Sequence, residues 1–224
     1  MSRLVNITLD LDAVKLNLDN CYMSSPDKTK NPYHHGDLAS ALVQATVSLL
    51  RSKGPAGVSL REVARLAGVS HGAPAHHFGD KAGLFTAVAI EGHELLAASL
   101  RYAIAKKSTP LAQLLDVGET YVRFALHNPG HFNCMFQTEL INAKSTEYLA
   151  ASLGTKLILE QCVWNLFNDP DQRATQINGI VMALWSQVHG FATLWLAGNF
   201  GDPDDEKLLN RLLPEMLTGI TPNT

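Results

Sequence analysis

SLREVARLAGVSHGAPAHHF, residues 59–78, is the stretch whose reading decides the fold. Ser59 and Glu62 stand at capping-box spacing, so the hydroxyl can accept an orphan backbone N–H and the glutamate can return the bond. Behind them Leu60, Val63, Ala64 and Ala67 form the apolar face of a short helix that Gly68 ends. Ala64 is small enough for a second helix to approach, and a glycine four residues later takes a sharp turn, the requirements of a helix-turn-helix. Ser70 is placed to cap the following helix, near 71–77, whose first turns would present His71, Gly72, Ala73, Ala75 and His76 outward. A helix that enters a major groove needs small residues for close approach and polar ones for base edges. Ser59, Arg61, Ser70, His71, Gly72, Ala73 and His76 are therefore candidate DNA contacts.

Outward from this stretch the pattern stays helical. Leu38, Leu42, Ala45 and Leu49 recur at 4-3-4 spacing before Gly54, and Asp80 is placed to cap a long helix running to about Lys107. Thr109-Pro110, Asn128-Pro129, Asp169-Pro170 and Asp202-Pro203 each set a capping residue before a proline at the first helical position. With a helix from about Ser145 to Phe167, nine helices and no strand are expected between 37 and 219: an all-α chain. Residues 1–32 differ. Val5, Ile7, Leu9 and Leu11 alternate, but two strands alone are marginal in water, so the segment is read as an arm that need not be ordered. Met23 before Ser24-Ser25-Pro26 is an equally natural start.

Composition excludes several classes. Of 224 residues, 46% are apolar and 17% charged, which rules out a mostly disordered chain or a disulfide scaffold. Cys21, Cys134 and Cys162 are widely spaced and form no C-x-x-C pair, so they read as free thiols of a reducing compartment. No basic segment precedes an apolar run at the N-terminus, so no secretory leader is expected and the location is read as cytoplasmic. Net charge is −3, yet residues 30–82 hold six basic side chains against three acidic ones. A basic segment on an acidic body points mildly to an anionic partner such as DNA; ordinary surface variation accounts for it equally well. There is no G-x-S-x-G, P-loop or H-E-x-x-H, so no enzyme is expected. His71 and His76 lack a carboxylate or cysteine at ligand spacing, so neither a metal nor another cofactor is expected.

With its flanks, the opening stretch resembles the N-terminal domain of the tetracycline-repressor (TetR) family of bacterial regulators. The residues that carry this are Ser52-Lys53-Gly54, Val58 to Ala64, Ala67 to Ser70, His76-His77-Phe78, and Asp80-Lys81 to Leu84-Phe85. Trp185-Ser-Gln-Val-His189-Gly190 is similar to the subgroup carrying a C-terminal Trp-x3-His-Gly signature, often with Tyr-His-His-Gly upstream, here Tyr33 to Gly36. The resemblance implies a three-helix DNA-binding domain over 33–80, joined to a six-helix effector-binding and dimerisation domain over 81–224. It implies that Tyr33 and His34 contact DNA and that Lys81 holds a phosphate, a sensible role for an ammonium at a helix N-terminus. One departure stands out: the family's usual tyrosine before His76 is Ala75, and residues 71–77 contain no Arg or Lys.

In the body, Trp185 and His189 lie one helical turn apart and, with Phe124, Met135 and Trp164, are candidate effector-pocket residues. A hydrogen-bonded core histidine beside a core tryptophan is the competing reading. Ile177, Val181, Leu184, Val188, Phe191 and Trp195 recur at 4-3-4-3-4 and should face the subunit's own core. Gly179, Ala183, Ser186, Gly190, Thr193 and Ala197 repeat that spacing on the opposite side, a stripe that lets an identical helix approach across a two-fold axis. The resemblance implies a dimer built from the last two helices. Residues 174–201 carry no charged side chain, long enough to span a bilayer, but Gln176, Asn178, Ser186, Gln187 and His189 interrupt them, so a helix buried on all sides of a soluble protein or dimer is expected instead. The expected function is a homodimeric transcriptional repressor that binds a palindromic operator and responds to a small-molecule effector. The alternatives are a relative that has lost operator binding and acts through protein partners, and a helical enzyme using the pocket near Trp185.

Overall fold

The computed structural model describes residues 35–167 and 170–219, and among these every regular element is helical. Helix α1 is His35–Lys53, followed by a 3-10 turn at Pro55–Gly57, then α2 (Leu60–Leu66), α3 (Ala73–Phe78) and α4 (Lys81–Ala105). The rest are α5 (Pro110–His127), α6 (Pro129–Phe136), α7 (Thr146–Trp164), α8 (Pro170–Leu196) and α9 (Glu206–Thr218). The nine expected helices are present among the described residues. The arm at 1–32, Tyr33, His34, Cys21 and the Asp169 cap lie outside the described residues.

The capping chemistry explains most boundaries. Asp80 accepts from the Gly83 N–H at 2.8 Å, and Thr109 accepts from Ala112 N–H at 3.3 Å. Asn128 does not cap α6 with its side chain, because its amide turns back and donates to the Phe124 carbonyl at 3.1 Å. No helix starts at Pro203. Asp205 accepts from both Lys207 and Leu208 N–H groups, so α9 begins at Glu206, while Asp202 accepts only from Asp204 N–H.

Two apolar clusters form the core. One gathers Leu42, Leu49 and Leu50 of α1, Val58, Val63 of α2, and Leu84, Phe85 and Val88 of α4, and continues into Cys134, Ile141 and Tyr148. The other joins Leu96 and Leu100 of α4 to Tyr121, Phe124, Met135, Val188, Trp195 and the three leucines of α9. At residues 80 and 81 the chain passes from α3 into α4, which supplies side chains to both clusters, and residues from His35 onward form one compact unit.

Helix α8 buries Val181, Val188, Phe191 and Trp195, the face expected to meet the core. Its other side is open: Gly179, Ala183, Ser186, Thr193 and Ala197 are exposed, Gly190 is half-buried, and Met182 is 66% exposed. The helix is thus buried on one face only, although Ile177–Leu196 has the length and composition of a membrane span. Of the last two helices, α8 carries an uncovered face. Leu209, Leu213 and Leu217 turn α9 inward, each burial contributing ~1.5–3 kcal/mol, and Gly118 of α5 leaves the room that Leu217 fills. The second uncovered face is that of α7, where Leu149, Leu153 and Leu157 are half-exposed one turn apart.

Candidate nucleic-acid interface

Ser59 caps α2, accepting from Glu62 N–H at 3.3 Å. The reciprocal half of the capping box is absent: the Glu62 carboxylate pairs with Lys53 and lies 3.9 Å from Arg65. At the other end Val69 N–H donates to the Ala64 carbonyl and Gly68 N–H to that of Arg65. Gly68 has a φ of 70°, in the left-handed region that favours glycine. These two bonds close α2 and reverse the chain, and fully buried Ala64 lies in the angle between the helices.

Helix α3 starts later than its sequence pattern indicates. Ser70 does not cap it. The Ser70 carbonyl accepts from Ala73 N–H in a tight turn, Gly72 occupies the cap position, and α3 runs over Ala73–Phe78. Buried Pro74 in its first turn fixes φ and lacks the N–H that would make the first i→i−4 bond, to the Ser70 carbonyl, in a helix begun at His71. Ser59, Arg61, Ser70, His71, Gly72 and His76 are exposed, as is Ala75, whereas Ala73 is half-buried against the hairpin. Arg65 is also exposed, one turn beyond Arg61 on α2; its i, i+4 relation to Arg61 is the sequence signal that adds it to the surface. The cations of this surface therefore stand on α2, and the imidazoles on α3 and in the turn before it.

Lys81 opens α4, and its ammonium donates to the Pro55 carbonyl at 2.8 Å while lying 5.1 Å from the Phe85 ring centre. It pins the head of α4 to the 3-10 turn and retains two further N–H donors. Just beyond it, Gly83 packs on the end of α3 so closely that a Cβ would overlap the Phe78 carbonyl oxygen. Alanine would gain ~1 kcal/mol of helix propensity there, but overpacking against backbone costs ~1–3 kcal/mol. Gly83→Ala is therefore expected to lower the urea midpoint; an unchanged or raised midpoint would show that α3 yields freely.

In the body the structure brings Trp185 and His189 together with residues from other helices. Trp185 Nε1–H donates to the Tyr121 hydroxyl at 3.3 Å, and that hydroxyl lies 2.9 Å from His189 Nδ1. Because the indole donates into the phenol oxygen, the phenol proton goes to the imidazole. Burial pushes the Tyr121 phenol up and lowers His189, so both stay uncharged near neutrality. Phe124 and Met135 belong to the same apolar cluster, while Trp164 stands at the end of α7, 43% exposed. A separate open groove of about 400 Å³ lies between α4 and α7, lined by Arg101, Ile104, Leu157 and Gln161 among others, and by none of the five expected pocket residues. Cys134 and Cys162 are free and buried, and burial pushes the Cys134 thiol up to about 12, which leaves it unreactive. Among the described residues no three His, Cys, Asp or Glu side chains gather as a metal site.

A joint links this body to the hairpin. The Glu91 carboxylate on α4 accepts from His131 Nε2 of α6 at 2.8 Å and from the Gln44 amide of α1 at 3.2 Å. Beside it, Gly130 lies so near the Val47 carbonyl that a Cβ would sit 2.8 Å away.

Both halves of this architecture have counterparts among known proteins. Residues 42–88 match the family described as bacterial regulatory proteins, tetR family, and residues 114–216 match the tetracyclin repressor-like C-terminal domain. An HTH-type transcriptional repressor of Mycobacterium tuberculosis and an HTH-type transcriptional regulator of Mycobacterium bovis are each 39% identical over 62 residues, 28% of this chain. The matched stretch spans 33% of those relatives' own length. Among solved structures, a Rhodococcus sp. RHA1 protein of unknown function is similar at TM-score 0.65 and 27% identity, covering 85% of this chain and 98% of its own. The TetR-family regulator PfmR of Thermus thermophilus shares the fold at TM-score 0.60 and 18% identity, covering 80% and 98%. The helix-turn-helix hairpin and the helical body each match their own half of one family, and the chain belongs to the tetR family of bacterial regulatory proteins.

Proposed function

We propose that the protein is a cytoplasmic, homodimeric transcriptional repressor that binds a palindromic operator and releases it when a small molecule enters the body. The observation that carries this reading is the exposed α2–α3 surface: Arg61 and Arg65 of α2, and Ser70, His71 and His76 beyond the turn, are all exposed on a hairpin closed at Gly68. Two such heads reading successive major grooves stand ~34 Å apart. The open faces of α7 and α8 supply a seam for the second subunit, and the Glu91 joint supplies a path by which movement of α6 reaches α1. Within the family we assign the Trp-x3-His-Gly subgroup, on Trp185, His189 and Gly190.

The test is an electrophoretic mobility shift with duplex DNA from upstream of the protein's own coding sequence, at several salt concentrations. Retardation at nanomolar protein with a steep salt dependence supports the reading. Lys81→Ala is expected to weaken binding to all sequences about equally and to lower the salt slope by about one per subunit. An unchanged slope with altered sequence preference would mean that Lys81 only staples Pro55. The absence of Arg and Lys from α3, together with Ala75, favours a second reading in which operator binding is lost and the hairpin serves a protein partner. Failure to retard any duplex from that region would support it.

A further inference from the structure

Phe136 is the hub of a ring cluster that joins four helices. Its ring centre lies 4.7 Å from His189 and 6.0 Å from Trp185 on α8, 5.2 Å from Phe132 on its own helix, and 5.7 Å from His93 on α4. On α5, Tyr121 completes the group at 6.5 Å. Phe136 is half-buried and is the last residue of α6; Gln137 already leaves helical geometry with ψ 78°. The ring can therefore swing out by turning the end of a helix, without breaking the hydrogen-bond ladder of its interior.

His93 is the unusual member. It is 2% exposed, its Nδ1 pairs with the Thr155 hydroxyl of α7 at 3.3 Å, and its Nε2 makes no hydrogen bond. Buried polar atoms without a partner are rare in folded proteins, and each asks for an explanation. Burial lowers His93 to about 4, partly offset by a backbone hydrogen bond with Met135, so the ring is neutral at pH 7. The Thr155 hydroxyl spends its one proton on the Ala151 and His93 carbonyls and so accepts from Nδ1–H, which leaves Nε2 as the ring's lone pair, awaiting a donor. The rings around Phe136 are uncharged as well, with Tyr121, Trp185 and His189 bonded to one another.

We propose that an uncharged, planar aromatic molecule bearing one hydroxyl or N–H donor binds at this junction, taking the ring position of Phe136 and donating to His93 Nε2. Replacing one ring by another keeps the edge and tilted contacts that the cluster already makes. The donor satisfies the open Nε2 of His93, which raises selectivity against analogues lacking it. A carboxylate or ammonium in the same place would be buried among neutral groups with no counter-charge. Half-exposed Trp185 and Phe136 mark the side from which the molecule enters. The far end of α6 holds His131 against Glu91, so a molecule that moves Phe136 acts on the helix that leads to α1. This names the chemical class of the effector and rests on the effector-responsive reading only for its consequence on DNA.

The test is calorimetric titration of the full-length protein with 2-naphthol, 2-naphthoate and naphthalene, which share a ring system and differ in charge and donor. At pH 7, 2-naphthol is expected to bind at least tenfold more tightly than either analogue. His93→Leu should erase its advantage over naphthalene. Phe136→Ala, which removes the ring to be displaced, should tighten both uncharged compounds several-fold and serves if His93→Leu does not fold. Equal or tighter binding of 2-naphthoate, or no binding of 2-naphthol to either wild type or Phe136→Ala, overturns the proposal. Binding of 2-naphthol without release of an operator duplex would sustain the ligand class and remove the effector reading. Release of the duplex by a charged compound, with no 2-naphthol binding, would do the reverse.

Discussion

Gly190→Leu is expected to separate the dimer while leaving each subunit folded. Within the subunit a Cβ at Gly190 meets nothing within 4 Å, so a leucine there projects into open space. Its helix position even gains, since replacing glycine inside a helix contributes up to ~1 kcal/mol. In the proposed dimer the same side chain would meet its own copy across the two-fold axis, in a seam of small residues, Gly179, Ala183, Ser186 and Thr193. Overpacking costs ~1–3 kcal/mol per site, counted twice by symmetry, which raises the dissociation constant by roughly 30-fold to 10⁴-fold. Sedimentation velocity at micromolar protein would show the mass halved, with an unaltered helical circular dichroism spectrum. A persisting dimer would move the seam elsewhere, to the half-exposed leucines of α7 in the first place.

Stability is expected to fall steeply on mild acidification, and His93 is the main cause. Its folded-state value of about 4 lies below the 6.5 of an unfolded histidine. Above pH 6.5 neither state carries the proton and the group is neutral in the balance. Between 6.5 and 4 the unfolded chain takes up a proton that the folded one refuses, so stability declines by ~1.4 kcal/mol per pH unit. The loss reaches roughly 3 kcal/mol by pH 4 and then levels off. Burial lowers His189 too, which adds to the loss in the same direction. Urea midpoints at about pH 7, 5.5 and 4 measure it, and His93→Leu should flatten the profile. Parallel profiles for variant and wild type would assign the acid sensitivity to other groups.

What can be read from the sequence is governed by how local the deciding interaction is. Ser59, Gly68, Asp80 and Thr109 act within four residues of themselves, and each does what its spacing indicates. The sequence misplaces the start of α9 because two capping aspartates compete, and Asp205 prevails by satisfying two N–H groups where Asp202 satisfies one. Ser70 fails as a cap because Pro74 sits in the first turn of α3. The core face of α8 is legible from its period, but the surroundings of His189 are not. Tyr121 stands 68 residues away from it on α5, and no periodicity links the two. Lys81 shows the same limit. Its place at a helix start is plain in the sequence, whereas its bond to Pro55, 26 residues earlier, depends on how the hairpin folds back.

The sharing of α4 between two apolar clusters bears on how the molecule comes apart. A fragment ending at residue 80 would keep Leu42, Leu50 and Val63 but lose Leu84, Phe85, Val88, Cys134 and Tyr148 from the opposite wall of the same cluster. The hairpin is therefore not an autonomous folding unit, and its melting is tied to that of the helices behind it. Under the proposed repressor reading, unravelling the hairpin to let go of DNA would dismantle the body as well, so that reading requires release by the tilting of an intact helix. That demands a stiff lever, and α4, at 25 residues and with buried side chains along its length, is built as one.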